Sequence, residues 1–468
     1  MTAAHYLGAG LVLAFTSALG VFSGRRVKSA GDFISGGGRA GAGVVAGAVL
    51  GSLVGGASTI GTAQTAFTSG LSAWWFTLGG GLGCLTMACF FVKPLHKSGV
   101  STLPQLFAAE YGRAAATVSA LAMSVGNFLT IAAQTLAGTA LITSVSDIPP
   151  LPAVAIISAL MLVYVIFGGT RSAGLVGIGK TVVLYIGVGA CGLLALCRGG
   201  GLSGFSSALP QARFFNLFAD GASSNAGGGL SLILGVLTTQ SYLQAVISAR
   251  SVKQSRAGML ISAALAPIIG LMSIFIGMYM RMRFPDAPAV AALPLFITET
   301  LPPVAAGAVL AALLIALTGT GAGISLGLSS VLTIDLYKVY INPKADERRV
   351  LTISRLFIVF ILALAAALVS CGLGGAVLDW SYLAMGLRGA VGFLPLCAAL
   401  FMPGRLPPRC ITASVLLAPG AVIAGNALLP PSVDPLFAGV LCSLVILIAG
   451  MLSERARRKR EKSGNGRI

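Results

Sequence analysis

Carbonyl oxygens released from a broken helix can bind cations, and residues 51–59 (GSLVGGAST) have the composition to release them. They sit inside an apolar run, 41–67, where the paired Gly55 and Gly56 each cost a helix roughly 1 kcal/mol relative to alanine. In lipid, backbone groups freed this way survive only where other protein or a water-lined cavity satisfies them. A break near the midplane exposes the groups with which transporters hold ions and substrate. Small residues here would equally serve close helix packing. Arg388 is the second feature. It lies nine residues past Asp379, roughly 13 Å along a helix, near the middle of a hydrocarbon core of about 30 Å. A guanidinium at that depth needs a partner, and a carboxylate gripped bidentately suits it best. No Asp or Glu lies at comparable depth in the topology below. That leaves a solute carboxylate, or backbone carbonyls and water.

The elements that must position these groups are membrane helices. The chain is 56% hydrophobic and 9% charged over 468 residues, more apolar surface than a soluble core can hide. Thirteen apolar segments are long enough to span: 3–22, 41–67, 71–91, 116–145, 151–167, 173–197, 228–248, 259–279, 304–330, 352–370, 378–402, 411–428 and 436–452. The first lacks a basic leader, and Arg25, Arg26 and Lys28 follow it, so it reads as a retained helix with its amino terminus outside. With loops assigned alternately, Arg198, Arg213, Arg281 and Arg283 fall outside, Arg388 falls within a segment, and the other 26 Lys and Arg fall on the cytoplasmic side. Trp74, Trp75 and Trp380 then sit at outer ends, where an aromatic belt belongs. The net charge of +18 is thus a topology signal, and the basic tail 455–462 (RARRKREK) an anchor at anionic lipid rather than a nucleic-acid arm.

Enzyme chemistry finds no support. The two histidines, His5 and His96, lie near segment ends, and no nucleophile–base pair or metal-spacing cluster is visible. The eight cysteines form no C-x-x-C pair and read as buried free thiols. No G-x-x-x-x-G-K-[ST] occurs, which disfavours a nucleotide-driven pump.

Five strings, in order along the chain, resemble the sodium:solute symporter family: 56–75 (GASTIGTAQTAFTSGLSAWW), 93–112 (KPLHKSGVSTLPQLFAAEYG), 167–171 (FGGTR), 240–251 (QSYLQAVISARS) and 329–338 (SSVLTIDLYK). The resemblance implies an all-α, LeuT-type fold, in which one extra helix precedes two inverted repeats of five and two helices follow. Its sum of thirteen agrees with the hydropathy count. The regions would be 1–40, the repeats 41–197 and 228–402 with an external loop 198–227 between them, two final helices in 403–453, and a cytoplasmic tail 454–468. Each repeat would open with a broken helix, the second near 235–240 (GVLTTQ).

The resemblance also implies a sodium site between the first core helix and the eighth. Carried across by position, its carbonyls are those of Gly51, Val54 and Ala316. The family's hydroxyl pair falls on Gly319-Thr320, so one ligand is missing, with Thr318 a neighbouring substitute. Oxygen ligands suit a hard cation. Where the family carries T-D-x-x-Q, this chain reads Val176-Gly-Ile-Gly-Lys180, a lysine in place of the glutamine and no carboxylate. Lys180 is roughly 10 Å into its helix, and its stem is long enough to snorkel to the cytoplasmic surface, the expected course. The alternative sets its ammonium at, or in place of, the ion. Ser58, Thr239, Gln240, Tyr242 and Arg388 are the polar groups expected near the solute, although core hydrogen bonds would explain each as well.

The expectation is therefore a sodium-coupled symporter of a small organic solute in the cytoplasmic membrane, not an enzyme, with a carboxylate solute one candidate. Proton coupling, uncoupled transport and a non-transporting sensor of the same fold are the alternatives.

Overall fold

The computed structural model describes residues 2–24, 40–100, 102–168, 173–372, 376–430 and 433–464, and every element in it is helical. In chain order the helices are α1 Ala3–Gly24, α2 Ala42–Leu53, α3 Thr62–Ser69, α4 Trp75–Thr86, α5 Val92–Ser98, α6 Leu103–Tyr111, α7 Arg113–Val145, α8 Pro150–Gly168, α9 Ala173–Arg198 and α10 Gly201–Ala208. They continue as α11 Gln211–Phe214, α12 Ala222–Thr238, α13 Gln240–Ile247, α14 Val252–Arg283, α15 Ala292–Thr300, α16 Pro303–Val331, α17 Glu347–Ser370, α18 Val377–Phe401, α19 Pro408–Leu428 and α20 Leu436–Gly464. Arg25, Arg26, Lys28 and Gly169, Thr170 and Arg171 of the FGGTR string lie outside the described residues.

Among the described residues nine helices are long and apolar enough to cross a membrane, or ten if α12 and α13, bent by 49° at their break, count as one span. The stretch Ala57–Ser98 passes that test as a single 42-residue piece, yet at 1.5 Å per residue it would be about twice as long as the hydrocarbon core is thick. It divides at Gly70, whose φ of +62° ends α3. A Cβ there would stand 2.2 Å from the Phe214 carbonyl oxygen, so glycine is needed for the turn and for the contact.

Burial sorts the helices into centre and periphery. In an apolar 18-residue window of Val377–Phe401, 72% of the residues are buried within the protein, whereas in that of Arg348–Ser370 only 22% are, and Leu356 and Phe360 turn outward, where lipid must cover them. The centre consists of α7, α16, α18 and the two broken helices. Here α18 packs on α7 and α12, and α7 packs on α16. α1 lies against α16 through small residues, with Gly8 beside the Val304 carbonyl and Gly307 beside that of His5.

All eight cysteines are free thiols, but only Cys84 and Cys191 are buried, and Cys89, Cys197 and Cys371 are exposed. This corrects the expectation of uniformly buried thiols. An apolar run marks a residue for lipid as readily as for the protein core.

A tie joins the near ends of the broken helices. Ala40 N–H donates to the Ser248 carbonyl at 3.1 Å, and Arg250 N–H donates to the Ala40 carbonyl at 3.1 Å. Gln254 Oε1 accepts from Ala42 N–H at 2.8 Å.

Candidate functional site

α2 stops at Leu53, Val54 is extended, and helical geometry resumes only through a π-turn at Ala57–Gly61. The break disposes of its own backbone groups. Gly55 N–H donates to Ser58 Oγ at 2.9 Å, and Ser58 Oγ and Thr59 Oγ1 donate to the Gly55 carbonyl at 3.1 and 2.8 Å. Gly56 N–H donates to Gln134 Oε1 at 2.9 Å, from α7. Ser58 thus braces the break. Gln134 was missed in the sequence, although an amide in the apolar run 116–145 was the available signal.

The second break falls at Thr239, inside the expected stretch, with Thr239 extended between α12 and α13. Thr239 Oγ1 donates to the Gly235 carbonyl at 2.6 Å, and Gln240 Oε1 accepts from Leu103 N–H at 2.9 Å. Tyr242 is buried.

Around the first break the structure assembles part of the expected ion site and adds a residue to it. Thr320 Oγ1 lies 2.9 Å from the Ala316 carbonyl oxygen and 3.4 Å from that of Gly51, bridging α16 to α2. The Thr318 hydroxyl donates to the Leu314 carbonyl on its own helix at 2.6 Å, and no hydrogen bond joins it to Gly51 or Lys180. Lys180 does not snorkel. It is 6% exposed, and its Nζ lies 3.3 Å from the Ala316 oxygen and 3.3 Å from Thr320 Oγ1. Two turns into its helix, its stem reaches inward as easily as toward the surface, and α9 packs directly on α2 and α16, so the inward oxygens are the nearer acceptors. The sodium site implied by the resemblance does not fit these residues: one hydroxyl is absent at Gly319, and an ammonium shares the Ala316 and Thr320 oxygens.

Arg388 is 2% exposed and held by α7 and its own helix. Its Nη1 donates to Asn127 Oδ1 at 2.7 Å, Nη2 to Thr130 Oγ1 at 3.2 Å, and Nε to the Ala384 carbonyl at 3.2 Å. Neutral side chains that the sequence reading passed over therefore satisfy the buried cation. Neither Asn127 nor Thr130 carries a charge to reveal the pairing in advance.

At the end of the broken helix remote from the Ala40 tie lies a cavity of about 470 Å³. Its wall includes Thr65, Asn225, Ser231, Asp379, Tyr382 and Asp434. Asp220, also in the wall, accepts from Ser69 and Ser72 at 2.9 and 2.7 Å. Burial holds the Asp434 carboxyl above the usual carboxylate range, against the opposing pull of its hydrogen bond from Leu436 N–H. None of Ser58, Thr239, Gln240, Tyr242 and Arg388 lines this cavity.

This arrangement, two helices broken in mid-span beside a polar cavity, can be set against known proteins. The sequence model of the sodium:solute symporter family matches residues 33–404. The chain belongs to the sodium:solute symporter family. That is a family of transporters, not of enzymes. Among its sodium cotransporter relatives, sodium/myo-inositol cotransporter 2 of Mus musculus is 25% identical over 405 residues, covering 76% of this chain and 60% of that protein. Sodium/glucose cotransporter 2 of Rattus norvegicus is 23% identical over 424 residues, 78% of this chain and 62% of that protein. The chain thus spans about three fifths of the curated relatives it matches. Solved structures bear out the LeuT-type fold. A substrate-bound, outward-open Na+-coupled sialic acid symporter superposes with a TM-score of 0.79 at 18% identity, covering 97% of this chain and 98% of that one. A nucleobase-cation-symport-1 family transporter in a closed conformation, with bromovinylhydantoin bound, gives 0.57 at 13% identity, covering 90% and 94%.

Proposed function

We propose that this member of the sodium:solute symporter family is a secondary active transporter, carrying a small polyhydroxyl solute by alternating access as the halves 41–197 and 228–402 move against each other. One observation carries the reading. The broken helix α2–α3 is tied to the other broken helix at its Ala40 end and walls an open polar cavity at its Thr65 end. A chain closed at one end and open at the other beside a mid-span break is what one stage of alternating access requires.

The solute class has two supports. The mouse and rat relatives are named for myo-inositol and glucose. The cavity wall also offers hydroxyls, an amide and carboxylates, groups that pair with solute hydroxyls. A carboxylate solute has less support, since the Arg388 guanidinium is already engaged by Asn127 and Thr130. Family membership supports sodium as the coupling ion. The position of Lys180 favours a second reading, in which the cycle runs on protons or uncoupled. The charge bias supports a cytoplasmic carboxyl tail and an external amino terminus in the cytoplasmic membrane.

Counterflow in proteoliposomes tests the activity. Vesicles preloaded with myo-inositol, glucose or sialic acid should take up the labelled form of at least one of them transiently and saturably. Absence of counterflow across a broad panel, from protein that still binds a solute in thermal-shift assays, would point instead to a sensor.

A further inference from the structure

We propose that the Lys180 ammonium is the resident cation of the site between α2 and α16, standing where the family holds sodium, so that this site takes no sodium in the wild-type protein. The inference rests on reading this cluster as the ion site of the proposed transporter. Its first support is position. Lys180 Nζ shares the Ala316 carbonyl and the Thr320 hydroxyl at 3.3 Å each, and Thr320 in turn reaches the Gly51 carbonyl at 3.4 Å. The ammonium is therefore one contact from the broken helix, on the oxygens a sodium ion would use.

The second support is electrostatic. A sodium ion on the Ala316 and Thr320 oxygens would lie within about 4 Å of the ammonium. At an effective dielectric near 20, that repulsion weakens sodium binding by roughly a thousandfold.

The third support is proximity, and it joins the two departures from the family pattern. A Cβ built on Gly319 would stand 3.5 Å from Lys180 Nζ and 3.4 Å from the Tyr164 hydroxyl. These are ordinary contact distances, so position 319, where the family carries a hydroxyl ligand, faces the ammonium directly. The missing ligand at Gly319 and the lysine at 180 are thus one exchange, an ion and a hydroxyl given up for a tethered ammonium. A tethered cation cannot be released to the cytoplasm, so the cycle draws nothing from a sodium gradient through this site.

The test is binding of radioactive sodium to the purified full-length protein in detergent, paired with melting curves in sodium chloride against choline chloride. Wild-type protein should show no saturable sodium binding, and no sodium-specific rise in melting temperature, that Thr320→Val removes. Lys180→Gln combined with Gly319→Ser should gain saturable binding of about one ion per chain, at least a hundredfold tighter than wild type, and Thr320→Val should abolish it. Wild-type sodium binding that Thr320→Val removes would overturn the proposal, and that comparison does not depend on the double variant folding. A cooperatively melting double variant that binds no sodium would also overturn it. Failure of every solute in the counterflow panel would sink the transport reading and leave these binding results intact.

Discussion

At the scale of single residues, the protein spends side-chain polarity on keeping its interior satisfied. Arg388 exemplifies this: its three donor nitrogens meet Asn127, Thr130 and the Ala384 carbonyl, so the charge serves to fasten α18 to α7. Removing one acceptor from a buried donor costs about 1–3 kcal/mol, because no water replaces it. Asn127→Ala should therefore lower the melting temperature by several degrees in detergent. Arg388→Lys should do the same despite keeping its charge, since a single ammonium cannot span the three acceptors. An unaltered melting temperature accompanied by lost uptake in Arg388→Lys would return the residue to the solute site. Gln134 plays the same part for the Gly56 N–H, which has no partner within its own helix.

Elements owe their limits to a few backbone positions. The turn between α3 and α4 depends on Gly70, where any other residue meets both an unfavourable φ and the Phe214 carbonyl. Strain of this kind costs on the order of 1–3 kcal/mol before the clash is counted. Gly70→Ala should reduce the yield of folded protein on size exclusion and lower the melting temperature, whereas Gly43→Ala, where a Cβ meets nothing within 4 Å, should leave both unchanged. Equal behaviour of the two variants would show that the turn tolerates a side chain. The two helix breaks are softer features. Each is held by side-chain hydroxyls and amides that can exchange partners, which suits segments required to move during a transport cycle.

For the whole molecule, the governing quantity is the distribution of 31 basic residues along a chain of alternating direction. With loops assigned alternately over thirteen segments the split is 26 to 4, which predicts a cytoplasmic carboxyl tail, because Lys and Arg resist translocation. Cysteines placed singly in the tail beyond Leu452 should react with a membrane-impermeant maleimide only after intact cells are lysed, and a cysteine at Thr2 should react before lysis. External labelling of the tail would reverse the topology.

Hydropathy and helix breaking are local properties of a chain, and they made the membrane helices and the first break legible in the sequence, while the LeuT-type fold, the second break and the missing hydroxyl at Gly319 came from the ordered resemblance to sodium:solute symporters. The partners of buried charges were not legible, because they depend on which distant helices become neighbours. From position 180 a lysine stem reaches the surface or the core equally well, and only the packing of α9 on α2 and α16 sends it to Thr320. Arg388 finds Asn127, 261 residues earlier, only because α18 lies on α7. The cavity likewise draws Asp220, Asp379 and Asp434 from three separate segments, and no spacing along the chain records that they share one wall.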